Sequence, residues 1–468
     1  MLRAFALLLG SFLWSGIPAM GGTYYVAPLG TKVSGTPDGS MARPFLSVNA
    51  AFSSGKVSGG DVLLLGDGNY GELSTKMIAS FDEPVIVMSQ NGKGAHFDNI
   101  LLGHGTHNLV LRNLSVWPSA AGKQEISHLV RAYKATSNIT LDGLDIRGEE
   151  NAGNYMEWDA DKWNKYKYSA VLLQGPGSIV ANSRMTGVYG GIMVEDNSQI
   201  INNVIDGYNG DGMRAFSNSV VRGNLVINAF STDDNHADGF QSYSIGREGG
   251  VVTGLIVDGN TIIEWTGQSD HPLRATLQGI GLFDGMYKDL TITNNVVSVT
   301  HWHGISVYGA QGAKITNNIV VNGKGLPSKV PHIAVRSHKD GRPSTDVLVA
   351  DNLAMSFDVA NNVGNRIQVR GNSVIGYPER VFENPSAFDY RLKGSEFPDK
   401  TEVIPTLPPQ DDLWKEGHDE TFVPEDKQAG VAPPKGDTAV APVPLPGAGL
   451  LLFGALSGLA VLRGSRSA

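Results

Sequence analysis

Four polar residues in the middle of this chain each stand directly before a glycine that opens a short apolar run. They are Asp211 before Gly212-Met213, Asp238 before Gly239-Phe240, Gln278 before Gly279-Ile280, and His303 before Gly304-Ile305. Two carboxylates, an amide and an imidazole are groups that move protons and hold developing charge. More polar residues gather nearby: Asp233-Asp234-Asn235-His236 ahead of Asp238, Asp270 to Arg274 ahead of Gln278, and His338-Lys339-Asp340-Gly341-Arg342 further on. Asp238, His303, His236 and Lys339 are therefore the candidate proton carriers. Asp211, Arg214, Gln241, Arg274 and Gln278 are candidate contacts to a bound molecule. Asp233, Asp234 and Asp238 offer the hard oxygen ligands that suit Ca²⁺. Each has a plain structural alternative: an aspartate that forms a turn, a histidine satisfied within one, a solvated loop.

What brings residues so far apart in the chain together is a repeat. An asparagine follows each of a series of apolar runs, at Asn182, Asn203, Asn224, Asn260, Asn295, Asn318, Asn352 and Asn372. The spacings are 21, 21, 36, 35, 23, 34 and 20. A unit of about 20 to 23 residues, three times lengthened by about 14, accounts for the series. Each unit carries β-branched alternation broken by Gly, Asn or Asp, with no helical period. Strands this short bury nothing alone, but stacked in parallel they form a coil with inward Ile, Val and Leu columns. The spacing predicts an all-β fold, a right-handed parallel β-helix of about ten to twelve rungs. Its asparagines would pair from rung to rung and satisfy turn backbone. Adjacent strands lie about 4.8 Å apart, so the four residues before the glycines would form one column about 14 Å long.

Composition bounds the rest. The chain has 468 residues, 41% hydrophobic and 18% charged, with 58 glycines and no cysteine. Thiolate chemistry, disulfides and cysteine-ligated metals are thereby excluded. The net charge is −9, of which −7 falls between Glu396 and Asp437, so acidity belongs to a Pro-rich spacer and no basic patch points to nucleic acid. Residues 1–22 read as an export signal: Arg3, an apolar run from Phe5 to Trp14, then small residues. The organisation expected is signal 1–22, β-helix 23–395, spacer 396–442 and a C-terminal tail 443–468. Between Glu149 and Tyr168 the repeat is interrupted by Tyr155, Trp158, Trp163, Tyr166 and Tyr168, aromatics that would stack on sugar rings or cap a loop.

Three stretches carry family resemblances. Val443-Pro444-Leu445-Pro446-Gly447, an uncharged run to Leu462, then Arg463 and Arg466 resemble the PEP-CTERM class of sorting tails in its VPLPA variant. That resemblance implies transient membrane insertion, processing by an exosortase-like enzyme, and a final place on the cell surface or in the medium. Thr23 to Tyr70, with a short helix around Asn49 to Ser53, resembles the entry segment of polysaccharide-lyase-like β-helix proteins, the helix plugging the end of the coil. Asp238-Gly239-Phe240 and His303-Gly304 resemble elements of the polygalacturonase site, but Gln278 stands where an acidic pair is expected. Hydrolysis needs two carboxylates in defined roles. A lyase or C5 epimerase acting on a uronate-containing polysaccharide fits the amide better. It needs the substrate carboxylate neutralised, by Gln278, Arg274 or Ca²⁺, and a base, from His303, His236 or Lys339. The competing readings are a glycoside hydrolase and a non-catalytic carbohydrate-binding adhesin.

Overall fold

The computed structural model describes residues 21–75, 79–119, 126–244, 250–323 and 329–393. The export signal (save its last two residues), the spacer and the sorting tail lie outside them. The described chain coils through three parallel sheets of 14, 11 and 12 strands, visited in turn on each rung. This is the parallel β-helix expected from the repeats. Inward columns run straight down each sheet. In the 14-stranded sheet Ile200, Val221, Val257, Ile292, Ile315 and Val349 pair in register and are fully buried. In the 11-stranded sheet Ile192, Met213, Phe240, Ile280, Ile305 and Ile333 do the same.

The asparagine ladder forms from Asn203 to Asn372. Each backbone N–H donates to the next rung's Asn Oδ1 at 2.9–3.0 Å, and each Nδ2 reaches the same oxygen at 2.8–3.0 Å. Asn182 departs from the expectation by one position. It is the residue before the ladder, with φ 52°, as are Asn202, Asn294 and Asn317, while Ser183 takes the ladder place and donates its N–H to Asn203. Two asparagines side by side serve two needs: one tolerates the left-handed turn, the other pairs. Asn260→Ala should cost about 1–3 kcal/mol, because it strands the Asn224 N–H in the interior. Chemical denaturation checks this, and an unchanged midpoint would count against a structural ladder.

The start of the coil is closed by a helix. The helix Val48–Ser53, capped by Ser47 Oγ accepting from the Ala50 N–H at 3.0 Å, buries Val48, Ala51 and Phe52 at the start. After the last rungs the antiparallel pair Phe382–Asn384 and Asp389–Leu392 folds back along the outer face of the 12-stranded sheet, where Phe382 and Tyr390 join a second apolar cluster with Ile227, Ile263 and Val296 and Tyr390 donates to Ser298 Oγ at 2.9 Å.

Candidate functional site

The four residues before the glycines do share a column on the outer face of the 11-stranded sheet. Asp238 pairs with Gln278 and His303 with His332, and the pairs Met213 to Phe240 and Ile280 to Ile305 bring Asp211 and His303 onto the same line. The glycines explain why these side chains face outward. A Cβ on Gly239 would lie 2.4 Å from Ile262, and one on Gly279 2.3 Å from the Gly304 carbonyl oxygen. The chain therefore turns its bare Cα inward there, and the preceding residue points out. His332 extends the column and was not picked out from the sequence. Its strand shifts register between His303 and Ile305, so no glycine follows it.

Asp238 is fully buried although it stands on the outer side. Its Oδ2 meets His236 Nδ1 at 3.3 Å and accepts from Gln241 Nε2 at 3.2 Å, and its Oδ1 has no hydrogen-bond partner. That oxygen projects over Gly281, where a Cβ would come within 2.5 Å of it. Burial pushes the Asp238 carboxyl up to about 7, against the pull of its bond to His236, and nearby Asp211 adds to the rise. The same hydrogen bond raises His236 above its ordinary value. His236 itself is 62% exposed, so the imidazole, and not the carboxylate beneath it, meets solvent. Asp211 is fixed from two sides, accepting from the Asp238 backbone N–H at 3.0 Å and from Arg214 Nε at 2.6 Å.

Beyond Gln278 the column becomes a cluster of imidazoles. The ring of His303 lies 5.0 Å from His301 and 5.6 Å from His332, with its Nδ1 2.9 Å from Ser306 Oγ. Burial lowers all three, His303 to about 3 with the neighbouring imidazoles adding to the effect, and His301 to about 4. They are neutral near pH 7. Gln278 Oε1 and His332 Nε2 are, like Asp238 Oδ1, buried without a partner. These three unmet polar atoms lie within four successive rungs of one column.

Several sequence expectations are corrected. Trp158 and Trp163 are buried, packed with Ala152, Tyr155, Phe230 and Trp265 in a cluster that fastens three insertions to the wall of the coil. They offer no face to a ligand. Trp163→Ala should therefore cost about 3–5 kcal/mol of stability, with affinity for any carbohydrate unchanged in the folded fraction, as melting and binding titrations would show. Arg274 is committed to Glu264, at 3.0 and 2.7 Å, and is 10% exposed. Lys339 pairs with Asp284, six residues along its strand from Gln278 and so about 20 Å from the column. Asp233 pairs with Lys167 at 2.9 Å while Asp238 is sealed under His236, and among the described residues no three His, Asp or Glu groups surround a point a cation could take. Asp233, Asp234 and Asp238 thus do not fit the calcium site their types suggested. Trp302, next to His303, is left exposed beside the column.

No family model matches the chain, and no curated protein matches it in sequence. Solved structures do. The A-module of a mannuronan C-5 epimerase from Azotobacter vinelandii is 14% identical, with a TM-score of 0.44, over 70% of this chain and 93% of that one. A mannuronic acid specific polysaccharide family 6 lyase from human gut microbiota is 14% identical, with a TM-score of 0.39, over 76% and 83%. The catalytic unit of an α-1,3-glucanase of family GH87 from Streptomyces thermodiastaticus is 11% identical, with a TM-score of 0.40, over 77% and 70%.

Proposed function

We propose that this protein is a polysaccharide-active enzyme that removes the proton α to a uronate carboxylate, as a lyase or a C5 epimerase does. The observation that carries the reading is the pairing of exposed His236 with buried Asp238 beside the unpartnered oxygen of Gln278. Asp238 accepts from Nδ1–H, which leaves His236 Nε2 free to take a proton, and the carboxylate beneath stabilises the imidazolium that results. The Gln278 Nε2 amide and the Arg214 guanidinium would donate to the substrate carboxylate as it gains enolate character, while the Gln278 oxygen would accept from a substrate hydroxyl. In elimination the C5 proton passes to His236 Nε2 and then to O4 as the C4–O4 bond breaks and the C4=C5 double bond forms. In epimerisation a proton returns to C5 from the opposite face. The neutral imidazoles of His303 and His332 supply hydrogen bonds to hydroxyls of the same chain.

A hydrolase is less well supported, because Asp211 is held by Arg214 and Asp238 is buried, so the column has no two carboxylates free to act on one bond. The test is incubation with a panel of uronans. Ultraviolet-absorbing unsaturated ends indicate a lyase, and solvent deuterium at C5 without cleavage an epimerase. Reducing ends without unsaturation would overturn the proposal. Export and processing of the tail 443–468 are part of the same proposal, and the mass of the mature C-terminus in the native host tests them.

A further inference from the structure

The outer face that carries the column offers further features on either side of the Asp238–Gln278 pair. One rung from Asp238 toward the N-terminus lies a depression of about 250 Å³. Gly190, Gly191 and Gly210 line it, with His128, Ser169, Tyr189 and Arg214. A Cβ on Gly190 would come within 3.0 Å of Ser169 Oγ, and one on Gly210 within 3.0 Å of the Tyr189 carbonyl, so the glycines keep this hollow open. The Lys167 ammonium sits 4.5 Å from the centre of the Tyr189 ring. Arg131, on the outward line that runs through Leu172 and Met193 to Arg214, lies over Tyr133, and its Nε is buried without a partner. On the other side of the column Trp302 is 46% exposed, with the Lys329 ammonium 4.4 Å from its ring.

Cations over aromatic rings thus flank the site at both ends. The outward line from Met193 through Arg214, Gln241 and Gly281 to Ser306 takes four ladder steps, about 19 Å. Asp211 and Asp233 are engaged by Arg214 and Lys167, while Arg131 and Lys329 have no carboxylate partner among the described residues.

We propose that this face binds one extended acidic polysaccharide lying across the rungs, several glycosyl units at a time, an inference that rests on the uronate reading of the site. The reacting unit meets His236. A unit on one side enters the hollow beside Tyr189 and Arg214, and a unit on the other meets the exposed part of Trp302 with its carboxylate toward Lys329. Aromatic faces meet the C–H faces of sugar rings, and the cations meet carboxylates. The anchors are spread perpendicular to the strands, which sets the direction of the chain.

The experiment uses the full chain carrying His236→Ala, so that nothing turns over. Probes are end-labelled oligomannuronates and oligogalacturonates of increasing length, each with its carboxyl-reduced counterpart, followed by fluorescence anisotropy. Affinity should rise with length until the span is filled, and carboxyl reduction should weaken it at least tenfold. Trp302→Ala and Lys329→Ala should each weaken the longest oligomers by about threefold to tenfold and the shortest much less. Tyr189→Ala should do the same, with its melting midpoint monitored because the ring is half-buried. Equal affinity at every length, indifference to carboxyl reduction, or no binding of any probe would each overturn the proposal. Binding of this kind by a wild-type chain that never turns a uronan over would sink the catalytic reading and leave this one standing.

Discussion

Asp238→Asn is expected to lower turnover on an accepted uronan by two or more orders of magnitude, the scale seen when the partner that fixes a catalytic imidazole is lost. The amide is nearly isosteric, but it no longer obliges His236 to carry its proton on Nδ1, and it brings no charge to balance the imidazolium. Chain binding should hardly change, because Asp238 is buried and touches substrate only through His236. A second signature separates this role from a merely structural one. Burial raises the carboxyl to about 7, so between the ordinary carboxylate value and that point the folded chain keeps a proton the unfolded chain has released. Stability must then fall as pH rises through that window. His236, also raised, acts in the same direction. The variant lacks the carboxyl, so its melting midpoint should gain on the wild type as pH rises toward 7. A constant difference across the window, or full activity in the variant, would remove Asp238 from the mechanism.

Glu264→Ala should be the most destabilising single change near the site, by about 3–5 kcal/mol, the range for breaking a buried ion pair from one side. Glu264 is 1% exposed. Its Oε1 accepts from Arg274, and its Oε2 from the backbone N–H groups of Leu277 at 3.2 Å and Thr300 at 2.7 Å. One carboxylate thus fixes the approaches to both Gln278 and His303. Its removal leaves the Arg274 guanidinium buried and uncompensated, and it frees the segment that leads into the column. Activity should fall together with stability, and Glu264→Gln should recover part of both. Denaturant unfolding of the three proteins decides it; a loss below 1 kcal/mol would show that the pair behaves like a surface bridge.

Much of this was legible in the chain because a coil converts sequence period into position. The recurrent Asn and Gly gave the rung length, and the rung length placed Asp211, Asp238, Gln278 and His303 in one line. The exceptions follow from what period alone does not encode. Asn182 belongs to a pair-like turn in which either residue carries the motif, and only the φ of 52° tells them apart. Trp158 and Trp163 sit in an insertion, where no alternation tells inside from outside. Their burial depends on Phe230 and Trp265, aromatics contributed by two other rungs. The pairing of Arg274 with Glu264, ten residues earlier, is made by the loop's conformation, which no period encodes. The burial of Asp238 arises from the bare Cα of Gly281, 43 residues on and adjacent only in the coil, and from the covering ring of His236.

The asparagine ladder also bears on heredity. Each rung from Asn203 to Asn372 presents the same joint, so a whole turn there can be lost or duplicated in frame with the joint kept. Removing the 21 residues from Asn203 to Gly223 would set Asn202 directly before Asn224, the same Asn-Asn step the chain makes now. The shortened coil would keep Asp238, Gln278 and His303 in their relative places while discarding Asp211, Arg214 and one wall of the neighbouring hollow. Lineages of such a molecule can therefore exchange what they grip without redesigning what they do, one turn at a time.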